Sequence, residues 1–189
     1  NYTITQNVPL MYKDSGHQIV FGIGICDNTT TAGAPNPDGY VYIYGYRDDL
    51  STHVKELVVA RVARADFADT SKWRFYNNGN WLAGVIQTNN AWAVRASHVS
   101  CELSVTPLNS GLYNNKFMLI FEKDVLGNEL QYAIGDNPYT FGTPVTFYTP
   151  PEPGQIPNSY TYNAKAHPHL SPAGYLLVSY NVNLASGFP

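Results

Sequence analysis

The stretch Tyr40–Tyr46, which reads YVYIYGY, decides the fold class of this chain. Aromatic and β-branched residues dominate it, and these residues favour strands over helices. Related runs return at Lys116–Glu122 (KFMLIFE) and Tyr175–Asn181 (YLLVSYN), each introduced by a turn rich in Gly, Asn or Asp. Three copies of one strand indicate a repeated, β-rich unit.

Further strand candidates surround each copy of this run. Upstream lie His17–Cys26, His98–Thr106 and residues 167–171; downstream lie Glu56–Arg64, Glu129–Ile134, Lys72–Tyr76 and Pro144–Tyr148. Residues 54–62 also fit an amphipathic helix, but we interpret them as a strand because the equivalent Leu130–Ile134 is too short and too β-like to be helical. Four antiparallel strands, repeated, are typical of the blades of a β-propeller.

The repeat gives two full units and part of a third, over about residues 16–92, 93–160 and 161–189. A closed propeller needs at least four blades, because otherwise its edge strands remain bare. We therefore expect an all-β fold, with this chain supplying about two and a half four-stranded antiparallel blades of a five-bladed β-propeller. Both ends look cut from a longer chain, so the expected partners include the remaining blades, on the same protein or another chain.

The composition narrows the functional classes. The net charge of −3 and the scattered Lys and Arg residues give no basic stripe for a phosphate backbone, so nucleic acid is not an expected partner. No apolar run is long enough to span a membrane. Frequent Tyr, Asn, Thr and Gly are typical of secreted, carbohydrate-facing β-domains, and NYT at 1–3 and NTT at 28–30 fit the N-glycosylation pattern of a glycoprotein.

The two cysteines, Cys26 and Cys101, either form one bridge or remain two buried thiols. The apolar neighbours Val99 and Leu103 favour the thiol state for Cys101, which behaves there as a small hydrophobic residue. No spacing of Cys and His suggests a zinc site.

One carboxylate stands out within Ala96–Thr106, which reads ASHVSCELSVT. If this stretch is a strand, its apolar residues share one face, and its other face carries His98, Ser100, Glu102, Ser104 and Thr106. A carboxylate at the centre of that face needs water, a partner or a ligand, because an unpaired buried carboxylate costs several kcal/mol or takes up a proton. Glu102 is therefore either part of a solvated strand face or a general acid in a pocket wall.

Three segments resemble a known family: YVYIYGYRDD at 40–49, SCELSVT at 100–106 and HPHLSPAGYLLVSYNVN at 167–183. They resemble the later blades of secreted bacterial and fungal propeller domains of unknown function. Those domains are similar to five-bladed glycoside hydrolases of the arabinanase and β-xylosidase type, and some are endo-D-arabinanases. The resemblance implies a general acid on the inner strand of a middle blade, where Glu102 stands, and aspartates on early blades that this sequence does not include.

Glu102 is accordingly the catalytic candidate. His169-Leu170-Ser171 mirrors Glu102-Leu103-Ser104, so His169 and the nearby His167 are expected at an equivalent height on the neighbouring inner strand. Alternatively, His167 is a turn residue before Pro168. The remaining candidates for substrate binding are His98, Ser100, Asn181, Arg47 and Asp27.

Simpler interpretations stand beside several of these assignments. Arg47 and Asp27 also fit solvated turn charges, and Asn181 also fits a bond to its own backbone. Trp81 and Trp92 fit either stacking on sugars or packing in the core.

We therefore expect a secreted, glycoside-hydrolase-like propeller that acts on an extracellular polysaccharide, an arabinan or a related glycan. The alternative is a non-catalytic module of the same fold, either a carbohydrate binder or a structural part of a cell-surface assembly. No cofactor is specified, and a structural Ca²⁺ ion in the central channel is the one candidate.

Overall fold

A computed structural model describes residues 11–84 and 96–185, and these residues form an all-β fold in which the paired strands are antiparallel. The strands make three sheets of six, four and two strands, in chain order. None of the helices in the described part of the chain has the length and apolarity needed to cross a membrane.

Sheet 1 is a meander in which each strand pairs with the next along the chain. Its strands are β1 (Met11–Lys13), β2 (His17–Asn28), β3 (Tyr40–Asp49), β4 (Lys55–Ala63), β5 (Arg74–Asn77) and β6 (Asn80–Ala83). The strand interpretation of β4 is confirmed, since β4 pairs with β3 from Tyr40↔Ala63 to Asp48↔Lys55. The sequence patterns missed β1 and β6, although β6 follows an Asn78-Gly79 turn with both residues at positive φ, a strong hairpin signal.

Sheets 2 and 3 follow the same meander. Sheet 2 contains β7 (Leu103–Pro107), β8 (Phe117–Glu122), β9 (Leu130–Gly135) and β10 (Val145–Tyr148), and sheet 3 contains β11 (Ser159–Ala166) and β12 (Val178–Leu184). The short helix α1 (Glu152–Gln155) precedes β11. Sheets 1, 2 and 3 follow the order of the predicted units. Their assignment as blades of a five-bladed propeller stays a prediction.

Several predicted strands differ from the structure, among them Tyr175–Asn181, which begins only at Val178 as β12. The strand predicted from His98 begins only at Leu103, because His98 has a φ of 64° and leaves the extended conformation. The third unit opens with β11 rather than with residues 167–171, where Pro168–Leu170 forms a 3₁₀ turn. Proline has no backbone N–H to donate to a strand ladder, which explains why this segment is a turn.

The first long strands of the three sheets are neighbours, with β2 against β7 and β7 against β11. A hydrophobic cluster that includes Tyr44, Leu57, Leu103 and Phe121 fills the space between sheets 1 and 2. The close approach depends on Gly24, where a Cβ atom would lie 2.9 Å from Cδ1 of Leu103 and 3.2 Å from its carbonyl oxygen. A smaller cluster of Ile120, Leu130 and Ala164 joins sheets 2 and 3.

A third hydrophobic cluster belongs to sheet 1. It includes Phe21, Ile43 and Val58, together with Trp73 and Phe75. Both of these aromatic side chains are buried, so they anchor the outer part of sheet 1.

Candidate functional site

Glu102 lies directly before β7 and is half-buried. Leu103 pairs with Phe121 as the last pair of the ladder between β7 and β8. Glu102 comes directly before Leu103 and Glu122 directly after Phe121, so the two residues lie close together at one end of sheet 2.

Glu122 is completely buried, with 0% of its surface exposed. Its Oε1 accepts hydrogen bonds from the Thr161 hydroxyl at 2.7 Å and from the Asn128 backbone N–H at 3.2 Å. Burial raises the pKa of Glu122; these two hydrogen bonds lower it, and the charge of Glu102 raises it further. Its Oε2 has no hydrogen-bond partner among the described residues.

On its other side, Glu102 adjoins the hairpin between β3 and β4. Lys55 Nζ lies 3.0 Å from Asp48 Oδ2, and both residues are buried. Burial, followed by the nearby Cys101, raises the pKa of Tyr46 to about 12. We call Asp48, Lys55, Cys101, Glu102 and Glu122 the carboxylate cluster.

His98 and Ser100 support the backbone that carries Glu102. His98 Nδ1 lies 2.8 Å from Asp124 Oδ1, and the His98 carbonyl accepts a hydrogen bond from the Asp124 N–H at 2.6 Å. Ser100 is buried, and its hydroxyl donates to the carbonyl oxygen of Glu102. Their predicted role as substrate-binding residues gains no support from these contacts, which are internal to the fold.

The structure places Asp27 at the other end of sheet 1. Asp27 is opposite Val41 on β3, whereas the carboxylate cluster begins at Asp48. Val41 and Asp48 are seven residues apart on β3, which corresponds to about 23 Å along the strand. Asp27 forms an ion pair with Arg64, beside a pocket of about 310 Å³ that is also lined by Ile25, Val41 and Phe67. Asp27 and Glu102 therefore do not share a site.

The remaining candidates make the following contacts. Arg47 forms an ion pair with Glu56. His167 Nε2 lies 2.7 Å from the Ser179 hydroxyl, His169 is exposed on the 3₁₀ turn, and Asn181 is exposed on β12.

The predicted equivalence of Glu102 and His169 is wrong, because it required residues 167–171 to be an inner strand. The β11 residue that reaches this level is Thr161, which contacts Glu122. Further along β11, the Ala166 N–H donates to Ser104 Oγ at 2.8 Å. The polar face of β7 is therefore turned towards another strand.

The sequence patterns missed Glu122, Lys55 and Asp48 as members of the cluster. Glu122 ends the KFMLIFE strand, and a hairpin register between this strand and SCELSVT would have placed it close to Glu102. That register is fixed by the turn and by packing, which strand periodicity alone does not give.

Both cysteine thiols are free in the structure. Burial, with the charges of Asp38 and Asp27, raises the pKa of Cys26 to about 12. Asn28 is buried and its Nδ2 donates to the Asn36 carbonyl at 3.1 Å, so this amide is not presented for glycosylation. The other glycosylation candidate, Asn1, lies outside the described residues.

Trp81 belongs to an aromatic cluster at the end of sheet 1 opposite to the carboxylate cluster. Its ring centroid lies 5.2 Å from those of Tyr76 and Tyr139, and the Arg61 guanidinium lies 4.1 Å from it and 4.2 Å from the Tyr40 ring. These contacts favour the packing role of Trp81. Trp92 lies outside the described residues.

The described residues include no group of three or more His, Cys, Asp and Glu side chains that could hold a metal ion. The predicted Ca²⁺ in a central channel stays a prediction.

Comparisons with known proteins agree with the fold. A family model described as "Domain of unknown function (DUF5005)" matches residues 23–188. The crystal structure of a protein from Bacteroides ovatus ATCC 8483, described as a candidate hydrolase, has a TM-score of 0.63 and 21% sequence identity. The match covers 89% of this chain and 40% of that one. At this identity the likeness shows a shared fold. No curated protein matches the chain.

Proposed function

We propose that this chain, which belongs to the family described as Domain of unknown function (DUF5005), is part of a secreted glycoside hydrolase that acts on an extracellular polysaccharide, an arabinan or a related glycan. The resemblance to arabinanase-like propellers gives the substrate class. The hydrolase description of the Bacteroides ovatus protein, which shares the fold, is compatible with this class of reaction.

The observation that carries the proposal is the half-buried carboxyl group of Glu102, which lies beside the buried Glu122. Glycosidic cleavage needs one carboxyl that protonates the leaving oxygen and a second that activates water or attacks the sugar. Glu102 is half-buried and Glu122 has no exposed surface, so only Glu102 is placed to contact a substrate. We assign Glu102 as the general acid; the resemblance assigns the second reacting carboxyl to an earlier blade.

A non-catalytic carbohydrate-binding module is the second candidate. The aromatic cluster favours it, because the tyrosines around Trp81, namely Tyr40, Tyr76 and Tyr139, keep part of their surface exposed. Partly exposed aromatic rings present the apolar faces on which sugars stack.

The substitution Glu102→Gln in the intact protein tests the catalytic proposal. It keeps the side-chain shape and removes the proton donor, so reducing-end release from a panel of soluble polysaccharides should fall by about a hundredfold or more. The melting temperature should stay within a few degrees of wild type.

The matched control is Glu129→Gln, since Glu129 is also a glutamate beside a strand but pairs with Lys123 and lies outside the carboxylate cluster. It should keep wild-type turnover. A stable Glu102→Gln protein with undiminished turnover would overturn the assignment. Wild-type protein that binds the polysaccharides without releasing reducing ends would favour the binding module.

A further inference from the structure

Glu122 is a buried carboxyl group without a positively charged partner in the described part of the chain. None of the ion pairs formed there includes it, and the adjacent Lys123 pairs with Glu129 at 3.2 Å. A carboxylate held in this way would retain an uncompensated charge in the protein interior, which costs several kcal/mol. Among the described residues, which supply no cation for it, Glu122 is therefore left to a proton or a bound cation for neutralisation.

The hydrogen bonds around Thr161 favour the proton. The Thr161 hydroxyl lies 2.7 Å from Glu122 Oε1 and 3.2 Å from Asn128 Oδ1, yet a hydroxyl carries only one hydrogen. An ionised Glu122 accepts from the Thr161 hydroxyl. If Glu122 is instead protonated at Oε1, it donates to Thr161, and Thr161 donates to Asn128. Each short contact then has its own hydrogen, and the unpartnered Oε2 is a neutral carbonyl oxygen.

The groups around Glu122 also favour the proton. From β7 it faces Glu102, and from β11 it faces Thr161. In the turn that follows β8, Lys123 pairs with Glu129, and Asp124 pairs with His98. Among the described residues, no third acidic, Cys or His side chain joins these two carboxyl groups.

We propose that Glu122 is an uncharged carboxylic acid at neutral pH and joins β8 to β11, so that its ionisation at higher pH loosens the contact between sheets 2 and 3. The proposal concerns the fold and is independent of the proposed function. If it is correct, the contact between sheets 2 and 3, next to the carboxylate cluster, is sensitive to pH.

The sign of the effect follows from the direction of the pKa shift. Burial raises the pKa of Glu122 above its usual value of 4.5, so the folded state binds this proton more tightly than the unfolded state. The stabilisation is complete below the unfolded pKa and is lost as the pH rises through the folded pKa. For each unit by which the folded-state pKa exceeds the unfolded-state pKa, the equilibrium constant for opening this contact rises about tenfold as the pH increases through both values.

The substitution Glu122→Gln tests the proposal, because glutamine has the same shape and cannot ionise. We would measure amide hydrogen exchange of Ser159–Ala166 between pH 5 and 9, corrected for intrinsic exchange. Protection should fall by about tenfold or more across this range in wild type and stay constant in Glu122→Gln. The control Asp136→Asn should behave as wild type, because Asp136 pairs with Lys116 at the opposite end of β8.

A second variant keeps the test decisive if Glu122→Gln fails to fold. Glu102→Gln removes the charge that raises the pKa of Glu122, so the loss of protection should begin at lower pH. The infrared C=O stretch of a protonated carboxyl should be present in wild type at pH 7. The proposal would be overturned if this infrared band were absent or if the exchange protection of wild type did not depend on pH. It would also be overturned if added Ca²⁺ stabilised wild type but not Glu122→Gln, since that result would indicate a bound cation.

Discussion

Single residues set how closely the strands approach one another. Gly45 lies in the middle of β3, opposite Phe21 on β2 and Val58 on β4. A Cβ atom at this position would lie 2.9 Å from the Cα atom of Phe21 and closer still to the carbonyl oxygen of Val20. Both of these atoms belong to the backbone of a paired strand and cannot move aside as a flexible side chain would.

We expect Gly45→Ala to lower the free energy of unfolding by about 1–3 kcal/mol or more, because the methyl group forces β2 and β3 apart. Gly154→Ala is the control, since no atom lies within 4 Å of its Cβ position and its φ is not left-handed. It should change the free energy of unfolding by at most about 1 kcal/mol. Urea denaturation measures both variants, and equal stabilities would show that β2 and β3 tolerate the added methyl group.

At the scale of elements, the hairpin of β3 and β4 carries a buried charge pair. Asp48 and Lys55 face each other across the last pair of the ladder, and both residues are buried. The backbone carbonyl of Lys55 also accepts a hydrogen bond from the Val99 N–H at 3.1 Å. This hairpin end therefore holds the segment that leads to Glu102.

Lys55→Met should lower the free energy of unfolding by about 3–5 kcal/mol, because it leaves the Asp48 carboxylate buried without its cation. Adding Asp48→Asn should recover part of this loss, since the second substitution removes the uncompensated charge. Chemical denaturation of the two single variants and the double variant gives the coupling between the residues. Strictly additive losses would contradict a stabilising interaction between the two side chains.

At the scale of the whole molecule, hydrophobic packing joins the sheets. Phe121 is fully buried on β8 and belongs to the cluster between sheets 1 and 2. β7 contacts β2 on one side and β11 on the other, so sheet 2 connects the other two sheets. The described sheets should therefore unfold together.

Phe121→Ala should lower the free energy of unfolding by about 3–5 kcal/mol, because it leaves a cavity between two sheets. Thermal unfolding should remain a single transition at a lower temperature. Phe147→Ala, on β10 with 43% of its surface exposed, is the matched control and should cost much less. Separate transitions for different sheets in the Phe121→Ala protein would show that this cluster does not couple them.

The strand patterns predicted most of the sheets because strand propensity is a local property. The runs that became β3, β8 and β9 are rich in aliphatic and aromatic residues, and each lies where the sequence indicated. Residues 167–171 were predicted as a strand by analogy with Glu102-Leu103-Ser104, although Pro168 opposed it. Where propensity and analogy disagreed, the propensity was the better guide.

The sequence by itself determined the all-β class and the approximate strands, because alternation shows which residues of a strand share a face. Only the tertiary structure decided what covers the polar face of β7. The hairpin register brought Glu122 close to Glu102, and the packing of β11 placed Thr161 against Glu122 and Ala166 against Ser104. Register and sheet packing depend on contacts between residues far apart in the chain, which the periodicity of a single strand does not contain.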